Sequence, residues 1–314
     1  MSKDKKKICV YGLGGVGGYL GGMLAHGANQ SDNEEYKVYF IARGRHLEAI
    51  KNEGLTLVTP SKGSISCHPV KSVEKVNELP VMDYVIVGVK GYDLEEAVAN
   101  INGIADDNTV VIAPLNGVDI YERIRSKLER GTVLPSCIFV TSSIEAPGVV
   151  VHKGGTTKLV LGKDPNNKEY DPKDLHQILK IAGIPYKWVD DALPTIWEKY
   201  IMFAPFALVT AYSGKTFGEV MENAELKKLI EEIMEEVVEL ARAKGIDVKD
   251  SLIETYLGNA SFYPYETKTS YQRDIESGKG KDEGDLIGGT IIRLGKENGI
   301  STSTTEKVYR QAQL

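Results

Sequence analysis

The stretch Ile8–Leu24, ICVYGLGGVGGYLGGML, carries the strongest structural signal in the chain. Its first four residues favour a strand, and after the glycines the apolar residues recur at helical spacing. Gly12, Gly14 and Gly17 form the pattern G-x-G-x-x-G, in which they permit a tight turn, close approach of a pyrophosphate and close helix packing, respectively. The stretch therefore predicts a strand, turn and helix that bind a dinucleotide at the helix N-terminus. The predicted contacts are Gly12, Leu13, Gly14, Gly15, Val16 and Gly17.

The following part of the chain alternates between strand-like and helix-like segments. Short β-rich apolar runs lie at Lys7–Tyr11, Lys37–Ala42, Tyr84–Val89, Val110–Ala113 and Val133–Val140. Helix-like segments lie between them at Leu47–Lys51, Leu94–Ile101 and Ile120–Leu128. This alternation predicts a parallel, doubly wound α/β sheet of the Rossmann type. Two further runs, Gly148–His152 and Lys158–Gly162, predict a hairpin appended to that sheet.

The pattern changes after about Asp190, where long helical segments replace the alternation. In the clearest one, Leu226 to Ala241, apolar residues recur every three or four positions, and Gly245 follows as a helix stop. Such a stripe is either a domain core or the seam of a homodimer. The predicted fold is a Rossmann-type doubly wound sheet over residues 1–190, which binds the cofactor, followed by an all-helical substrate and dimerisation domain over residues 191–314.

Composition excludes several classes of function. The chain has 314 residues, of which 38 are basic and 44 acidic, for a formal net charge of −6, so no basic face for nucleic acid is expected. No apolar run approaches the roughly 20 residues of a membrane span, and no apolar signal-peptide core follows the charged N-terminus. The three cysteines are expected to be buried thiols, and the five histidines lack metal-ligand spacing. We predict a cytoplasmic protein without nucleic-acid, membrane or metal partners.

The residues after the second predicted strand indicate which dinucleotide binds. Proteins that bind NAD place an acidic residue there, whereas an arginine suits the additional phosphate of NADP. Here Arg43 and Arg45 follow the strand. The nearby acidic residues precede the strand and would lie at its opposite end; they are Asp32, Glu34 and Glu35. NADP is therefore the predicted cofactor, and the alternative is that the two arginines form a solvated surface pair.

Further motifs follow in a fixed order along the chain. They are Lys90 after a strand, Asn116-Gly117, Trp197-Glu198-Lys199, Thr210-Ala-Tyr-Ser-Gly214, Gly218-Glu219, Lys268-Thr-Ser270-Tyr-Gln-Arg-Asp274 and Asp282-Glu283-Gly-Asp285. Together with the glycine stretch, this ordered set spans essentially the whole chain and resembles the ketopantoate reductase (2-dehydropantoate 2-reductase) family. The resemblance implies an enzyme, an NADP-dependent oxidoreductase that reduces a 2-keto acid. In the family this is ketopantoate, which becomes pantoate on the pathway to pantothenate and coenzyme A.

The resemblance also implies roles for individual residues. Lys199 matches the catalytic lysine of the family, which acts as the general acid. Asn116 matches its active-site asparagine, which serves both catalysis and cofactor binding. The remaining matches are Arg43 and Lys90 as contacts to the cofactor phosphate, and Ser270 and Glu283 as contacts to the substrate.

The sequence departs from the family on the helix that carries the lysine. Where the family has two asparagines facing the substrate, four and eight residues after Lys199, this chain has Phe203 and Ala207. Pro205 lies between them and is expected to kink the helix. Phe203 and Ala207 are therefore predicted to line the substrate site and to favour a less hydroxylated or bulkier 2-keto acid.

A lysine suits the chemistry of ketone reduction, in which the cofactor supplies the hydride and the protein supplies a proton. An ammonium group both stabilises the developing alkoxide and donates the proton, and an asparagine amide can donate and accept beside it. Each residue also has a structural interpretation: Lys199 as a surface lysine, Asn116 as a turn residue, Glu283 in an exposed loop, Ser270 as a helix N-cap and Lys90 as a strand end. Two other functions stay open, a related hydroxyacid dehydrogenase with a more apolar substrate and a non-catalytic NADP-binding regulator.

Overall fold

The computed structural model describes residues 5–30, 35–259, 264–278 and 280–313. Contacts between Cα atoms divide the chain into two compact units. The first extends to Leu115 and resumes from Ile120 to Ala192, and the second comprises Asn116–Asp119 and the chain from Leu193 onward. Among the described residues, no helix has the length and apolar character needed to cross a membrane.

The first unit contains every strand of the described chain. The strands are β1 (Lys6–Tyr11), β2 (Tyr36–Ile41), β3 (Leu55–Thr59), β4 (Gly63–Cys67), β5 (Lys71–Val73), β6 (Tyr84–Val87), β7 (Val110–Ile112), β8 (Thr132–Leu134), β9 (Ser136–Phe139), β10 (Ser142–Ala146), β11 (Val149–His152), β12 (Lys158–Gly162) and β13 (Tyr186–Val189). The α-helices of this unit are α1 (Gly15–Gln30), α2 (Gly44–Glu53), α3 (Leu94–Ile101), α4 (Ile120–Arg125) and α5 (Lys173–Ala182). The thiols of Cys9, Cys67 and Cys137 are all buried.

The central sheet is parallel and has the strand order β5-β2-β1-β6-β7-β8. The chain moves outward from β1 through β2 to β5 on one side and from β6 to β8 on the other, so the order reverses between β1 and β6. Open α/β sheets bind ligands beyond the carboxyl ends of their strands at such a reversal. The Rossmann-type sheet predicted from the alternating pattern is confirmed, and the glycine turn follows the strand at its switch point.

Helix α1 packs closely against β2 of the central sheet and against β3 because its buried face is rich in glycine. An added Cβ at Gly21 would lie 3.0 Å from the ring of Phe40, and one at Gly22 would lie 3.0 Å from Cδ2 of Leu57. Leu20 and Leu24 complete this face and are fully buried in the core. The small residues thereby fix the position of the helix N-terminus relative to the end of β1.

The predicted hairpin of Gly148–His152 with Lys158–Gly162 is wrong, because the two segments belong to two different smaller sheets. β11 pairs antiparallel with β10 and parallel with β3, whereas β12 pairs antiparallel with β9 and parallel with β13. The two runs are therefore strands, but they belong to different sheets. Neighbouring strands in sequence usually pair; here β11 already pairs with the strand before it, across a turn at Gly148 with a φ of 77°.

The predicted strand Val133–Val140 is divided in the structure. Pro135 separates β8, which extends the parallel sheet, from β9, which joins the three-stranded sheet with β12. Proline lacks the N–H that a continuous ladder requires. A single apolar run thus supplies strands to two sheets.

The second unit is helical, as predicted. Its helices are α6 (Leu193–Ser213), α7 (Phe217–Glu222), α8 (Ala224–Ala243), α9 (Leu252–Asn259), α10 (Ser270–Glu276), α11 (Thr290–Asn298) and α12 (Ser303–Ala312), with a π-helical turn at Asp285–Gly289. The apolar stripe of α8 is core within this unit, because Ile230, Ile233 and Val237 are completely buried in the single chain.

Helix α6 continues through its internal proline. It runs from Leu193 to Ser213 with Pro205 inside it, so the expected kink does not interrupt the helix. Residues spaced four apart on a continuous helix share a face. Lys199, Phe203 and Ala207 therefore lie along one side of α6.

Candidate active site

The glycine turn after β1 has the geometry that its motif requires. Gly12 has a φ of 90°, in the region that favours glycine, and its N–H donates to the carbonyl of Ile41 at 2.9 Å. An added Cβ at Gly17 would lie 1.9 Å from the carbonyl oxygen of Gly12. At Gly14 the nearest protein atom to such a Cβ would be the carbonyl oxygen of Gly88, 3.6 Å away. Packing within the protein thus requires glycine at positions 12 and 17 but leaves space at Gly14.

Gly88 is a part of this turn that the motif did not predict. It follows β6, and an added Cβ there would lie 2.6 Å from Gly17 Cα and 2.8 Å from the carbonyl oxygen of Gly12. Its N–H donates to the carbonyl of Tyr11 at 2.8 Å. The signal was present as a glycine inside an apolar strand-like run, which often marks the close approach of another backbone.

The other predicted residues of the turn have their side-chain positions directed at the protein. An added Cβ at Gly15 would lie 2.3 Å from the carbonyl oxygen of Ser142 in β10. Leu13 is buried in the core, and Val16 packs against it from a half-buried position. Leu13 and Gly15 can therefore offer a ligand their backbone groups but no side chain.

Arg43 lies directly after β2 and precedes α2. Its side chain is 73% exposed, and its Nη2 lies 2.7 Å from Oδ2 of Asp93. Asp93 ends a short 3-10 turn that begins at Gly91. Lys90 precedes that turn; because β6 ends at Val87, Lys90 lies in the connection to α3 and not at the end of a strand as predicted.

The acids close to β2 in sequence do not supply the carboxylate beside Arg43. Glu35 precedes β2, and Asp32 and Glu34 lie outside the described residues. Asp93 comes instead from the connection after β6, two strands away in the sheet order. The cofactor prediction from sequence missed Asp93 because it considered only the residues next to β2.

Lys199 and Asn116 form a direct hydrogen bond within the second unit. Lys199 Nζ donates to Asn116 Oδ1 at 2.8 Å, and both residues are half-buried. Lys199 lies near the start of α6, whereas Asn116 follows β7 in sequence but clusters with the helical unit. The pair brings together two residues 83 positions apart.

An ion pair fastens the short segment that carries Asn116 to helix α11. Asp119 Oδ2 accepts hydrogen bonds from Arg293 Nη2 at 2.6 Å and from Thr290 Oγ1 at 3.3 Å. The Asp119 side chain is only 8% exposed, whereas that of Arg293 is 44% exposed. Asp119 thus holds the end of the Asn116–Asp119 segment, and no sequence motif indicated this role.

The face of α6 that carries Lys199 becomes more deeply buried along the helix. Phe203 is half-buried, whereas Ala207 has no exposed surface. Of the two residues that replace the family's asparagines, only Phe203 therefore presents surface that a ligand can contact.

Ser270 is the first residue of α10, but it does not cap that helix. Thr269 is the N-cap, and its Oγ1 accepts from the N–H of Gln272 at 3.2 Å. The hydroxyls of Thr269 and Thr210 are 3.0 Å apart, so the start of α10 is held against α6. The N-cap interpretation of Ser270 is therefore wrong.

Glu283 is buried, with 6% exposure, so its placement in an exposed loop is wrong. It precedes the π-helical turn Asp285–Gly289, and π-helical turns occur frequently at functional sites. The hydroxyl of Tyr200, the residue after the lysine, lies 2.9 Å from the carbonyl oxygen of Leu286 and 2.5 Å from that of Ile287. This contact ties the turn that follows Glu283 to the part of α6 that carries the lysine.

His46 connects the first turn of α2 to the turn before β11. Its Nδ1 accepts from the N–H of Gly148 at 2.9 Å. Burial lowers the pKa of His46 below its ordinary value, because the charged imidazolium loses solvation. The imidazole is therefore neutral at neutral pH and serves as an acceptor.

A parallel sheet with a glycine turn at its switch point, followed in sequence by an all-helical unit, is an arrangement typical of dinucleotide-binding oxidoreductases. Comparison with known families is more specific. The signature described as "Ketopantoate reductase PanE/ApbA" matches residues 8–166, and that of its C-terminal part matches residues 191–314. The chain belongs to the ketopantoate reductase family, whose members use a nicotinamide cofactor.

Individual proteins match over nearly the full length. An uncharacterized oxidoreductase, YkpB of Bacillus subtilis (strain 168), is 25% identical and covers 98% of each chain. The crystal structure of 2-dehydropantoate 2-reductase from Porphyromonas gingivalis W83 is 31% identical, covers 98% of this chain and 99% of its own, and has a TM-score of 0.80. A PanE/ApbA family ketopantoate reductase from Ralstonia eutropha JMP134 is 26% identical, covers 98% and 97%, and has a TM-score of 0.86.

Proposed function

We propose that this protein reduces a 2-keto acid with NADPH, with Lys199 as the general acid. The hydrogen bond between Lys199 Nζ and Asn116 Oδ1 carries the proposal, because it fixes an ammonium group on the helical unit beside an amide. The substrate in the name of the Porphyromonas gingivalis relative, 2-dehydropantoate, gives the first candidate reaction, its reduction to pantoate for pantothenate and coenzyme A.

The glycine turn suits the pyrophosphate of the cofactor. Gly14 has space where a side chain would otherwise project, and the N-terminus of α1 begins at the next residue. The first N–H groups of a helix lack intrahelical acceptors and attract anions. When bound, the reduced nicotinamide supplies the hydride.

Arg43 favours NADPH over NADH in this proposal, and Lys90 adds positive charge on the same edge of the sheet. Because an arginine fork binds phosphate through charge-assisted hydrogen bonds, its loss should cost about 1.5–3 kcal/mol of NADPH affinity. Arg43→Ala should therefore weaken NADPH selectively, as measured by calorimetric titration. Equal affinity of the unmodified protein for both cofactors would contradict the NADPH assignment.

Lys199 has two tasks in the proposed step. Its ammonium stabilises the negative charge that develops on the substrate oxygen, and it donates the proton that completes the alcohol. Asn116 restricts the orientation of the ammonium by accepting a hydrogen bond from Nζ at 2.8 Å. Water restores the proton to the lysine after product release.

Ser270 and Glu283 are the proposed contacts to the rest of the substrate. The Ser270 hydroxyl is not used as a helix cap, and it is positioned through the Thr210–Thr269 contact. Glu283 is enclosed and tied to the lysine region through Tyr200 and the π-helical turn. A serine hydroxyl suits a carboxylate, and a carboxylate suits a substrate hydroxyl.

Phe203 favours a second candidate, the same reaction on a more apolar 2-keto acid. It lies one turn beyond Lys199, and its half-buried ring offers apolar area in place of an amide. A pocket that leaves a substrate hydroxyl without a partner loses roughly 1–3 kcal/mol of binding. Ketopantoate, which carries a hydroxyl, should therefore be reduced less well than a 2-keto acid without one.

The experiment is NADPH oxidation against a panel of 2-keto acids that includes ketopantoate, 2-ketoisovalerate and phenylpyruvate. Phe203→Asn should shift the ratio of kcat/KM values toward ketopantoate by roughly tenfold, whereas Phe203→Leu keeps an apolar side chain and should change it by less than about threefold. The Ala207→Asn change is unsuitable, because it would bury an amide at a position with no exposed surface.

Two results of this screen would overturn the proposal at different levels. If the unmodified protein reduces ketopantoate better than any other acid, the apolar candidate is wrong and the substrate is that of the named relatives. If no acid in the panel is reduced although NADPH binds, the reductase assignment is wrong and a non-catalytic NADP-binding regulator takes its place.

A further inference from the structure

The carboxylate of Asp93 lies at the edge of the sheet where cofactor selectivity is decided. β2 and β6 both run parallel to β1 and lie on either side of it, so their carboxyl ends share the edge that carries the glycine turn. Arg43 follows β2, and Asp93 follows β6 through the short turn at Gly91–Asp93. An arginine and an aspartate from two different connections therefore meet at this edge.

The Arg43–Asp93 pair is asymmetric. The Asp93 side chain is 14% exposed, whereas that of Arg43 is 73% exposed. The backbone of Asp93 is held by its N–H, which donates to the carbonyl of Lys90 at 2.9 Å. Its side chain makes no capping hydrogen bond to α3 and instead pairs with Arg43 at 2.7 Å. The carboxylate is thus the fixed member of the pair, and the guanidinium is the movable one.

These two groups favour opposite cofactors. A 2′-phosphate carries a charge of about −1.5 to −2 at neutral pH and is attracted by arginine but repelled by a carboxylate. A ribose diol is neutral and donates hydrogen bonds, for which a carboxylate is the usual acceptor. The sequence directly after β2 contains Arg43 and Arg45 but no acidic residue.

We propose that Asp93 is a cofactor-selectivity residue that opposes Arg43 and narrows the preference for NADPH over NADH. Asp93 accepts a hydrogen bond that the Arg43 guanidinium could otherwise donate to a phosphate, and it places negative charge next to the proposed position of the 2′-phosphate. The inference rests on the dinucleotide binding of the proposed function but not on the 2-keto acid reaction. It concerns binding, so it can be tested without any substrate turnover.

The test is calorimetric titration of the full-length protein with NADPH and with NADH, at low and high salt. Asp93→Asn should strengthen NADPH binding by about 3- to 10-fold and leave NADH binding unchanged or weaker, since one nearby negative charge is removed. The gain should shrink at high salt, because charges near the surface are screened over about 10 Å at 0.1 M ionic strength. Asp93→Ser removes the same charge in a different side chain and should give the same direction.

Glu95→Gln is the matched control. Glu95 lies two residues after Asp93, and its Oε2 is 3.7 Å from Lys127 Nζ. Glu95→Gln therefore removes an equal charge and leaves the Arg43–Asp93 pair intact. The ratio of NADH to NADPH dissociation constants in Glu95→Gln should stay within about twofold of that in the unmodified protein, since the Glu95 carboxylate is paired with Lys127 and is 64% exposed to solvent.

An unchanged ratio of NADH to NADPH dissociation constants in both Asp93 variants would overturn the inference. So would an equal loss of affinity for both cofactors, or a change of that ratio in Glu95→Gln as large as in the Asp93 variants. Binding of both cofactors with an unchanged ratio refutes the role of Asp93 alone. Binding of neither cofactor by the unmodified protein refutes the proposed function and this inference together.

Discussion

The hydrogen bond between Lys199 and Asn116 makes a prediction that two single variants and their combination can test. If Lys199 is the general acid, as proposed, Lys199→Ala should lower kcat by about 100-fold or more and leave the dissociation constant of NADPH within about twofold. Asn116→Ala removes the acceptor of the 2.8 Å bond. The ammonium group then remains, but its orientation is no longer restricted from that side.

The size of the second effect follows from the type of bond. A hydrogen bond to a charged group contributes about 1.5–3 kcal/mol, and the half-burial of both residues places this bond toward the lower value. Each 1.4 kcal/mol corresponds to about a tenfold change, so Asn116→Ala alone should lower kcat by roughly 10-fold. Because that loss operates through the lysine, the same change made in Lys199→Ala should lower kcat by less than about threefold.

The assay is the steady-state oxidation of NADPH with the best 2-keto acid of the panel, together with calorimetric titration of NADPH for each variant. Strictly additive losses in the double variant would show that Asn116 does not act through Lys199. A Lys199→Ala variant that changes only KM would make the lysine a binding residue, and the general-acid assignment would be wrong.

Three further changes test the close packing at Gly88, the ion pair of Asp119 and the hydrogen bond of His46. Gly88→Ala should lower the unfolding midpoint by several degrees, because its Cβ would lie 2.6 Å from backbone in helix α1, whereas Gly103→Ala, with its nearest contact at 3.9 Å, should be tolerated; thermal unfolding measures both. Asp119→Ala should lower kcat about 3- to 10-fold with little change in NADPH affinity, because it frees the segment that Arg293 holds at 2.6 Å; kcat and KM measured separately distinguish this from a binding defect. Burial lowers the pKa of His46 in the folded protein, so its contribution to stability is complete above the unfolded pKa of about 6.5 and is lost as the pH falls through the folded pKa. His46→Asn keeps a hydrogen-bond acceptor and should reduce the fall in the unfolding midpoint between about pH 7 and 5. An unchanged fall would contradict the assignment.

The fold was predictable wherever a local pattern determines local structure. The glycine turn after β1 is an example, because strand, turn and helix are adjacent in sequence and each glycine has a steric reason. The strand partners of β11 and β12 were not predictable in this way. A period-two apolar pattern shows that a segment is a strand, but its partner is chosen by contacts distant in sequence, such as the pairing of β11 with β3.

The same distinction applies to the candidate site. Lys199 and Asn116 were each ambiguous in sequence, since a lysine in a helix and an asparagine before a glycine both have ordinary structural roles. Their hydrogen bond removes part of that ambiguity, because it requires the helical unit to hold a segment that follows β7. Asp93 shows the reverse case, in which a rule based on one strand overlooked a group contributed by another.

In the proposed reaction, the arrangement on α6 separates proton donation by Lys199 from the choice of substrate. Lys199 is oriented by Asn116, whose segment is fastened by Asp119 to α11, and none of these contacts involves Phe203. A substitution at position 203 can therefore change what lies beside the ammonium without altering how the ammonium is held. Phe203 is one helical turn from Lys199, and in the proposed reaction its side chain contributes only apolar area beside the substrate. Under the proposed function the reaction can be retained while the preferred keto acid changes, and for this reason the Phe203→Asn comparison tests specificity independently of the Lys199 variants.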